Sequence, residues 1–296
     1  MTRAAQGAQA RTAKIGDVLE EVRARCDVAQ RLAADPVGVV HRYRDPCDQE
    51  VVALLAACIA FGNVKTIRAK LDDALTRLGP SPACAADDPA AVHGRLAGWV
   101  HRVFRGEDIA CLIIGARRVQ KASGSLGARF EHELTRTGAM RDALAAFCDA
   151  IREAGGLDAG DARGRRGPSH LLPNARGPSA SKRMFLFLRW MIRAKDGVDL
   201  GLWDVPTSRL LCPVDTHIHK LARNLGWTSR SDLSWKTAEE ITAHLAVLDA
   251  RDPVKYDFAL CHMGMLQRCP SRRDAKRCEG CGIQSVCRHW VASRRA

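Results

Sequence analysis

The stretch PVDTHIHKLARNLG, residues 213–226, decides how the rest of the chain is read. Ile218, Leu221, Ala222 and Leu225 recur at the three- and four-residue spacing of one helix face, Asp215 precedes them as an N-cap, and Gly226 ends the helix. From spacing alone Asp215 is a cap. His217 and His219 stand two apart and project to different sides, so they are not expected to share a metal, and one of them is expected to pack or hydrogen-bond near the helix start. The same grammar extends outward. Asn63 caps a stripe of Val64, Ile67, Leu71, Ala74, Leu75 and Leu78 that Gly79-Pro80 stops, and Asp88-Pro89 and Asp252-Pro253 mark two further helix starts. Thr237 and Glu240 have capping-box spacing ahead of Ile241, Leu245 and Leu248. About ten helices and no alternating strand predict an all-α fold.

The chain has 296 residues, with 46 Lys plus Arg against 33 Asp plus Glu and a net charge of +13. Its apolar content can bury a core, which excludes disorder, collagen and coiled coil. The longest uncharged run, residues 51–64, is shorter than the roughly 20 residues of a membrane span, and the N-terminus has no apolar signal core, so a cytoplasmic protein is expected. Arg dominates the basic residues, a bias that a GC-rich genome alone could produce. The uneven placement has no such explanation: residues 268–296 hold eight basic and two acidic residues, which points to a polyanionic partner. Residues 156–181 read as one long irregular segment, too polar for core, and no phosphate-loop or dinucleotide fingerprint is present.

Twelve cysteines in a chain of this length suit a reducing compartment, where most stay buried thiols. Four are different. Cys269, Cys278, Cys281 and Cys287 fall as C-x8-C-x2-C-x5-C in a charged segment poor in apolar residues, so they read as metal ligands. Zinc and an iron–sulfur cluster both accept four thiolates, and a single C-x-x-C pair where zinc ribbons show two favours the cluster. Cys261, on an apolar helix, reads as core. Arg272, Arg273, Lys276 and Arg277 would lie on a loop pinned between cluster thiolates, where they could meet DNA phosphates or remain a solvated face.

Taken together, VDTHIHKLARNLG and the cysteine spacing resemble the endonuclease III and adenine-glycosylase superfamily of helix-hairpin-helix DNA glycosylases. Residues 45–67, 179–193, 196–203 and 252–260 look like a divergent branch of it, and the likeness runs from about residue 40 onward. It implies a [4Fe-4S] cluster on the four cysteines, Asp215 as the catalytic carboxylate, and double-stranded DNA as partner of a monomer. It also implies two helical lobes: a central helical barrel over 46–200 and a second lobe of residues 201–296, on which the N-terminal segment 1–45 packs. Lys182 stands near the position of a Schiff-base lysine, although a one-residue shift would put Ser181 there, and Ser181, Lys182 and Arg183 could instead touch phosphate. Arg189 and Trp190, on the same helix, read as ion-pairing and packing residues. The chain departs from the family's pattern in three places. The first cysteine gap is eight residues where six is usual. The hairpin L-P-G-[VI]-G is replaced by Leu172-Pro173-Asn174-Ala175-Arg176-Gly177, so its phosphate-binding turn is degenerate. The loop that supplies a glutamine wedge aligns with Cys58-Ile59-Ala60. The implied activity is cleavage of the N-glycosidic bond of a flipped base. Base modification of hypermodified DNA, and a non-catalytic iron–sulfur DNA-binding protein, are the alternatives.

Overall fold

A computed structural model describes residues 3–157 and 166–291. The chain divides into two compact units, one of Met1–Asp27 with Pro206–Ala296 and the other of Val28–Val205. Among the described residues the fold is all-α apart from one two-stranded hairpin. Residues 28–45, expected with the N-terminal segment, belong to the Val28–Val205 unit, because Val37, Val39 and Val40 are buried there beside the fourth helix.

The Val28–Val205 unit holds α2 (Val28–Ala34), α3 (Val37–Val40), α4 (Pro46–Ile59), α5 (Val64–Leu78), α6 (Pro82–Ala85) and α7 (Pro89–Arg95). The hairpin β1 (Val100–His101) and β2 (Phe104–Arg105) follows, then α8 (Gly106–Ser123), α9 (Leu126–Thr137), α10 (Met140–Gly155), α11 (Gly167–Leu171) and α12 (Lys182–Ile192). The expected caps form at Asn63 and Asp88, whose side chains accept backbone N–H groups. At the hub, Glu50 on α4 is buried, yet its carboxylate accepts from Gln120 Nε2 (2.7 Å), Trp203 Nε1 (2.7 Å) and the N–H groups of Leu126 (2.9 Å) and Gly127 (3.0 Å). One charge therefore fastens α4, α8, α9 and the segment after α12. Trp203 also packs with Phe130, Phe147 and Phe187, ring centroids 5.2–6.0 Å from its own. Arg189 pairs with the buried Asp199 (3.2 Å), which Arg193 reaches as well (2.9 Å), and Trp190 is fully buried. Residues 158–165 of the expected irregular segment lie outside the described residues. The remainder of that segment is not wholly irregular or solvated: it contains α11, and Leu171, Leu172 and Ala175 are buried.

The other unit holds α1 (Arg3–Ala24), α13 (Thr216–Leu225), α14 (Trp235–Leu248), α15 (Asp257–Gln267), α16 (Ala275–Cys278) and α17 (Arg288–Val291). α13 lies against α15. A Cβ on Gly264 would stand 3.2 Å from both His217 Cβ and Leu221 Cδ1, so the glycine sets how closely the two helices approach. α1 is fastened by Glu20, which accepts from Tyr256 Oη (2.7 Å) and Lys255 Nζ (2.8 Å), and by Arg11, which donates to Leu225 O (3.0 Å). Two helix starts differ from expectation. α14 begins three residues before the assumed capping box, because Ser234 caps it and Thr237 is already inside, donating to Asp232 (2.8 Å). Asp252-Pro253 opens a turn and not the helix, since Asp249 captures the N–H groups of Arg251 and Asp252 and α15 starts at Asp257. No helix among the described residues is long and apolar enough to cross a membrane.

Candidate functional site

Asp215 is extended and caps α13: Oδ1 accepts the N–H groups of His217 (2.8 Å) and Ile218 (2.9 Å). The predicted stripe is buried and Gly226 closes the helix in the left-handed region, φ 83°. Oδ2 of this half-buried carboxylate accepts a long hydrogen bond from the Cys261 thiol on α15 (3.6 Å). Cys261, expected to be plain core, therefore touches the candidate catalytic group. Only proximity in space reveals this, because the two residues are 46 apart in sequence. The two histidines separate as expected. His219 Nε2 lies 3.0 Å from Arg230 O, which can only accept, so that nitrogen carries a proton, while His217 packs against Gly264.

The far end of α13 reaches the cysteines. Cys269, Cys278, Cys281 and Cys287 all line one cavity, together with Asn224 of α13. Asn224 Nδ2 donates to Cys269 Sγ (3.2 Å), and the backbone N–H groups of Ile283 and His289 point at Cys281 and Cys287. Arg268 adopts the left-handed region (φ 44°) at the end of α15, and Cys269 N closes that turn on Gly264 O (3.3 Å), which swings the first thiol inward. Burial pushes the Cys269 thiol up to about 11 and raises Cys281 and Cys287 as well. Among the described residues no group of three or more His, Cys, Asp or Glu is placed so as to hold a single metal ion.

The bases between the first two cysteines are exposed, but not equally free. Arg273 lies over the Trp290 ring (4.1 Å) and Arg277 pairs loosely with Asp274 (3.6 Å). Arg272 and Lys276 have no ion pair among the described residues. Arg294 and Arg295 lie outside the described residues.

Ser181, Lys182 and Arg183 belong to the Val28–Val205 unit, and Asp215 and the four cysteines to the other. Lys182 is the first residue of α12, half-exposed, and Ser181 precedes it in the left-handed region (φ 48°). The Ser181 hydroxyl is buried and has no partner among the described residues, so it does not face outward as a phosphate ligand would. Arg183 is drawn inward, its guanidinium donating to the carbonyls of Cys58 and His170. It braces the end of α4 against α11. Cys58 and Ile59, aligned with the wedge loop, are the fully buried last turn of α4. The exposed residue there is Phe61, with Arg102 over its ring (5.0 Å) and His170 at its edge (5.0 Å).

The chain is thus an all-α protein in which one helix carries a capping carboxylate at its start and contributes to a four-thiol cavity at its end. Over residues 35–266 it matches the family model described as a protein of unknown function, DUF2400, and it belongs to that family. The matched span contains Asp215 and Lys182 and stops short of Cys269. No curated protein and no solved structure matches the chain.

Proposed function

We propose that the protein is a DNA glycosylase acting on a flipped damaged or modified base, with Asp215 as its carboxylate and a [4Fe-4S] cluster on Cys269, Cys278, Cys281 and Cys287. The observation that carries this reading is that both halves of the family resemblance meet on α13: Asp215 caps its start and Asn224 donates to a cluster-type thiol near its end.

The chemistry follows from how Asp215 is held. Two backbone N–H groups fix Oδ1, so the carboxylate cannot swing, and Oδ2 retains lone pairs beyond its weak contact with the Cys261 thiol. A fixed negative charge stabilises the positive charge that develops on a sugar as its N-glycosidic bond breaks, and it can orient and deprotonate the attacking water. Flipping the nucleotide costs a few kcal/mol of unstacking. Lys182, half-exposed at the start of α12, is the amine that would attack C1′ if the enzyme also cleaves the strand.

The four thiols fit the cluster on three counts. All four line one shared cavity, as ligands of a single cluster would. Backbone and amide N–H groups are aimed at the sulfurs, the usual means of supporting cluster thiolates. The surrounding segment is charged and thinly packed, so it needs a crosslink. When bound, the cluster would supply that crosslink and a one-electron redox centre. A second reading has its own support: the two backbone bonds to Oδ1 are capping bonds, as they would be if Asp215 were structural only.

The test is to incubate the purified protein with duplexes carrying a broad panel of modified bases and to measure free base and abasic sites, with Asp215→Asn in parallel. Release by wild type and not by the variant is the expected outcome. Equal release by both makes Asp215 a cap. Borohydride crosslinking to DNA, lost in Lys182→Ala, identifies the Schiff base, and base release without crosslinking defines a monofunctional enzyme.

A further inference from the structure

Beside the thiol cavity lies a second, larger cavity that glycosidic-bond cleavage does not use. It measures about 580 Å3, within the range of small-ligand sites, and shares Asn224 and His289 as walls with the thiol cavity. Lys220 and Arg223 project into it from α13, and Arg288 from α17, whose side chain lies 3.2 Å from the position a Cβ on Gly226 would take. Ser229, Ser231 and Ser271 supply hydroxyls from two loops.

Three features identify the ligand chemistry. No carboxylate is among the lining residues, and Lys220, Arg223 and Arg288 have no ion-pair partner among the described residues. The polar lining supplies donors. Ser229, Ser231 and Ser271 place hydroxyls along it, and His289 Nε2 is buried without a partner among the described residues. Unneutralised cations with hydroxyl donors, in a concave site free of acid, make a phosphate site, since phosphate oxygens accept several such bonds at once.

We infer that this cavity binds a phosphate group, carried either by a free phosphorylated small molecule or by the backbone of a nucleic acid. Lys220 and Arg223, one helical turn apart on α13, and Arg288 on α17 are its charge clamp. The inference rests on the cavity alone and holds whether or not Asp215 cleaves a glycosidic bond.

The test uses the full-length protein as purified, together with Lys220→Ala/Arg223→Ala and, on a separate element, Arg288→Ala. All three side chains are exposed, so the variants should keep the wild-type helical circular dichroism. Two probes separate the sources. Sodium pyrophosphate is titrated calorimetrically, and a 20-base-pair duplex is titrated across a range of salt concentrations. A free phosphorylated ligand is indicated by saturable pyrophosphate binding that weakens at least tenfold in the double variant while duplex affinity is unchanged. A backbone phosphate is indicated by duplex affinity that falls in both variants, with a salt slope shallower by about two in the double variant, since each lost phosphate contact removes close to one. If pyrophosphate affinity, duplex affinity and salt slope are the same in wild type and both variants, the cavity binds no phosphate and the inference is wrong.

Discussion

Replacing Asp215 separates what the carboxylate does for the helix from what it does for chemistry. In Asp215→Asn the side-chain oxygen can still accept the N–H groups of His217 and Ile218, because asparagine caps about as well as aspartate, so α13 should lose less than about 0.5 kcal/mol. In Asp215→Ala both N–H groups lose their acceptor, and a lost cap costs about 1 kcal/mol and at most about 2. The assay is residue-resolved amide exchange, since a chain of two units need not unfold in one step. A local loss of about 1 kcal/mol should speed exchange of the α13 amides about fivefold in the alanine variant, with near wild-type rates in the asparagine variant. Catalysis should order the variants differently. A fixed charge facing a developing cation contributes on the order of 10²–10³ in rate, so both variants should lose base release by at least that factor although only one loses the cap. Rates that track the exchange data, with Asp215→Asn active and Asp215→Ala impaired, would show that the carboxylate acts only through the helix and refute its catalytic role.

Four further outcomes follow from named contacts. Cys281→Ser should abolish the brown absorption of the purified protein and deprotect amides over residues 269–291, since metal-site binding energy is folding energy where little core exists; a colourless wild type with stoichiometric zinc would assign the thiols to zinc instead. Replacing Arg272, Arg273, Lys276 and Arg277 together by Ala should weaken duplex binding for all sequences alike and flatten its salt dependence, as measured by fluorescence anisotropy, with Arg272 and Lys276 contributing most because Arg273 and Arg277 have partners. Glu50→Ala leaves Trp203 Nε1 and the N–H groups of Leu126 and Gly127 without their acceptor, while Gln120 Nε2 keeps Cys47 O (3.0 Å), and should cost about 3–5 kcal/mol, read as a lower denaturant midpoint for the tryptophan fluorescence change, with Gln120→Ala costing much less. For Glu20, burial alone would raise the carboxyl, but hydrogen bonds from Lys255, Tyr256 and Arg23 outweigh it and hold it at about 2. Its folded value is depressed, so its stabilising effect is present above about pH 4.5 and lost as pH falls toward 2; protection of α1 should fade across that window in wild type and show no such step in Glu20→Gln.

What the sequence made legible is whatever local chemistry decides. Asn63, Asp88 and Asp215 cap the helices expected of them, because an Asx side chain bonds to N–H groups two and three residues ahead and needs nothing distant. The failures occur where a competing partner lies outside the local window. Asp252-Pro253 has the form of a helix start, but Asp249 takes the N–H groups first. Thr237 and Glu240 have capping-box spacing, but Ser234 caps the helix and Glu240 accepts from Thr228. Leu171, Leu172 and Ala175 look too sparse for core, yet all three are buried. The spacing of the four cysteines proposed a shared site, and their shared cavity appears only in three dimensions, as does the Cys261 thiol beside Asp215.

The segments that carry the wider resemblance divide by the same logic into scaffold and site. In residues 45–67, Asp45 caps α4, Asp48 accepts from Ser81 and Ala83 at the start of α6, and Glu50 joins four elements. In residues 179–203, Arg189 and Arg193 clamp Asp199, and Trp203 completes the Glu50 hub. These charged residues look catalytic in a sequence, because buried Asp, Glu and Arg are rare, but their hydrogen bonds are already satisfied within one unit and leave little for a substrate. Groups with capacity to spare are fewer: Oδ2 of Asp215, the ammonium of Lys182, the ring of Phe61, the four thiols, and the cations over the second cavity. A residue used by the scaffold should lose stability when replaced, and a residue kept for a ligand should lose binding or rate while the fold stands. Lys182→Ala and Phe61→Ala are therefore expected to melt with wild type, and Glu50→Ala well below it; a Lys182→Ala variant that unfolds early would move that lysine from the site to the scaffold.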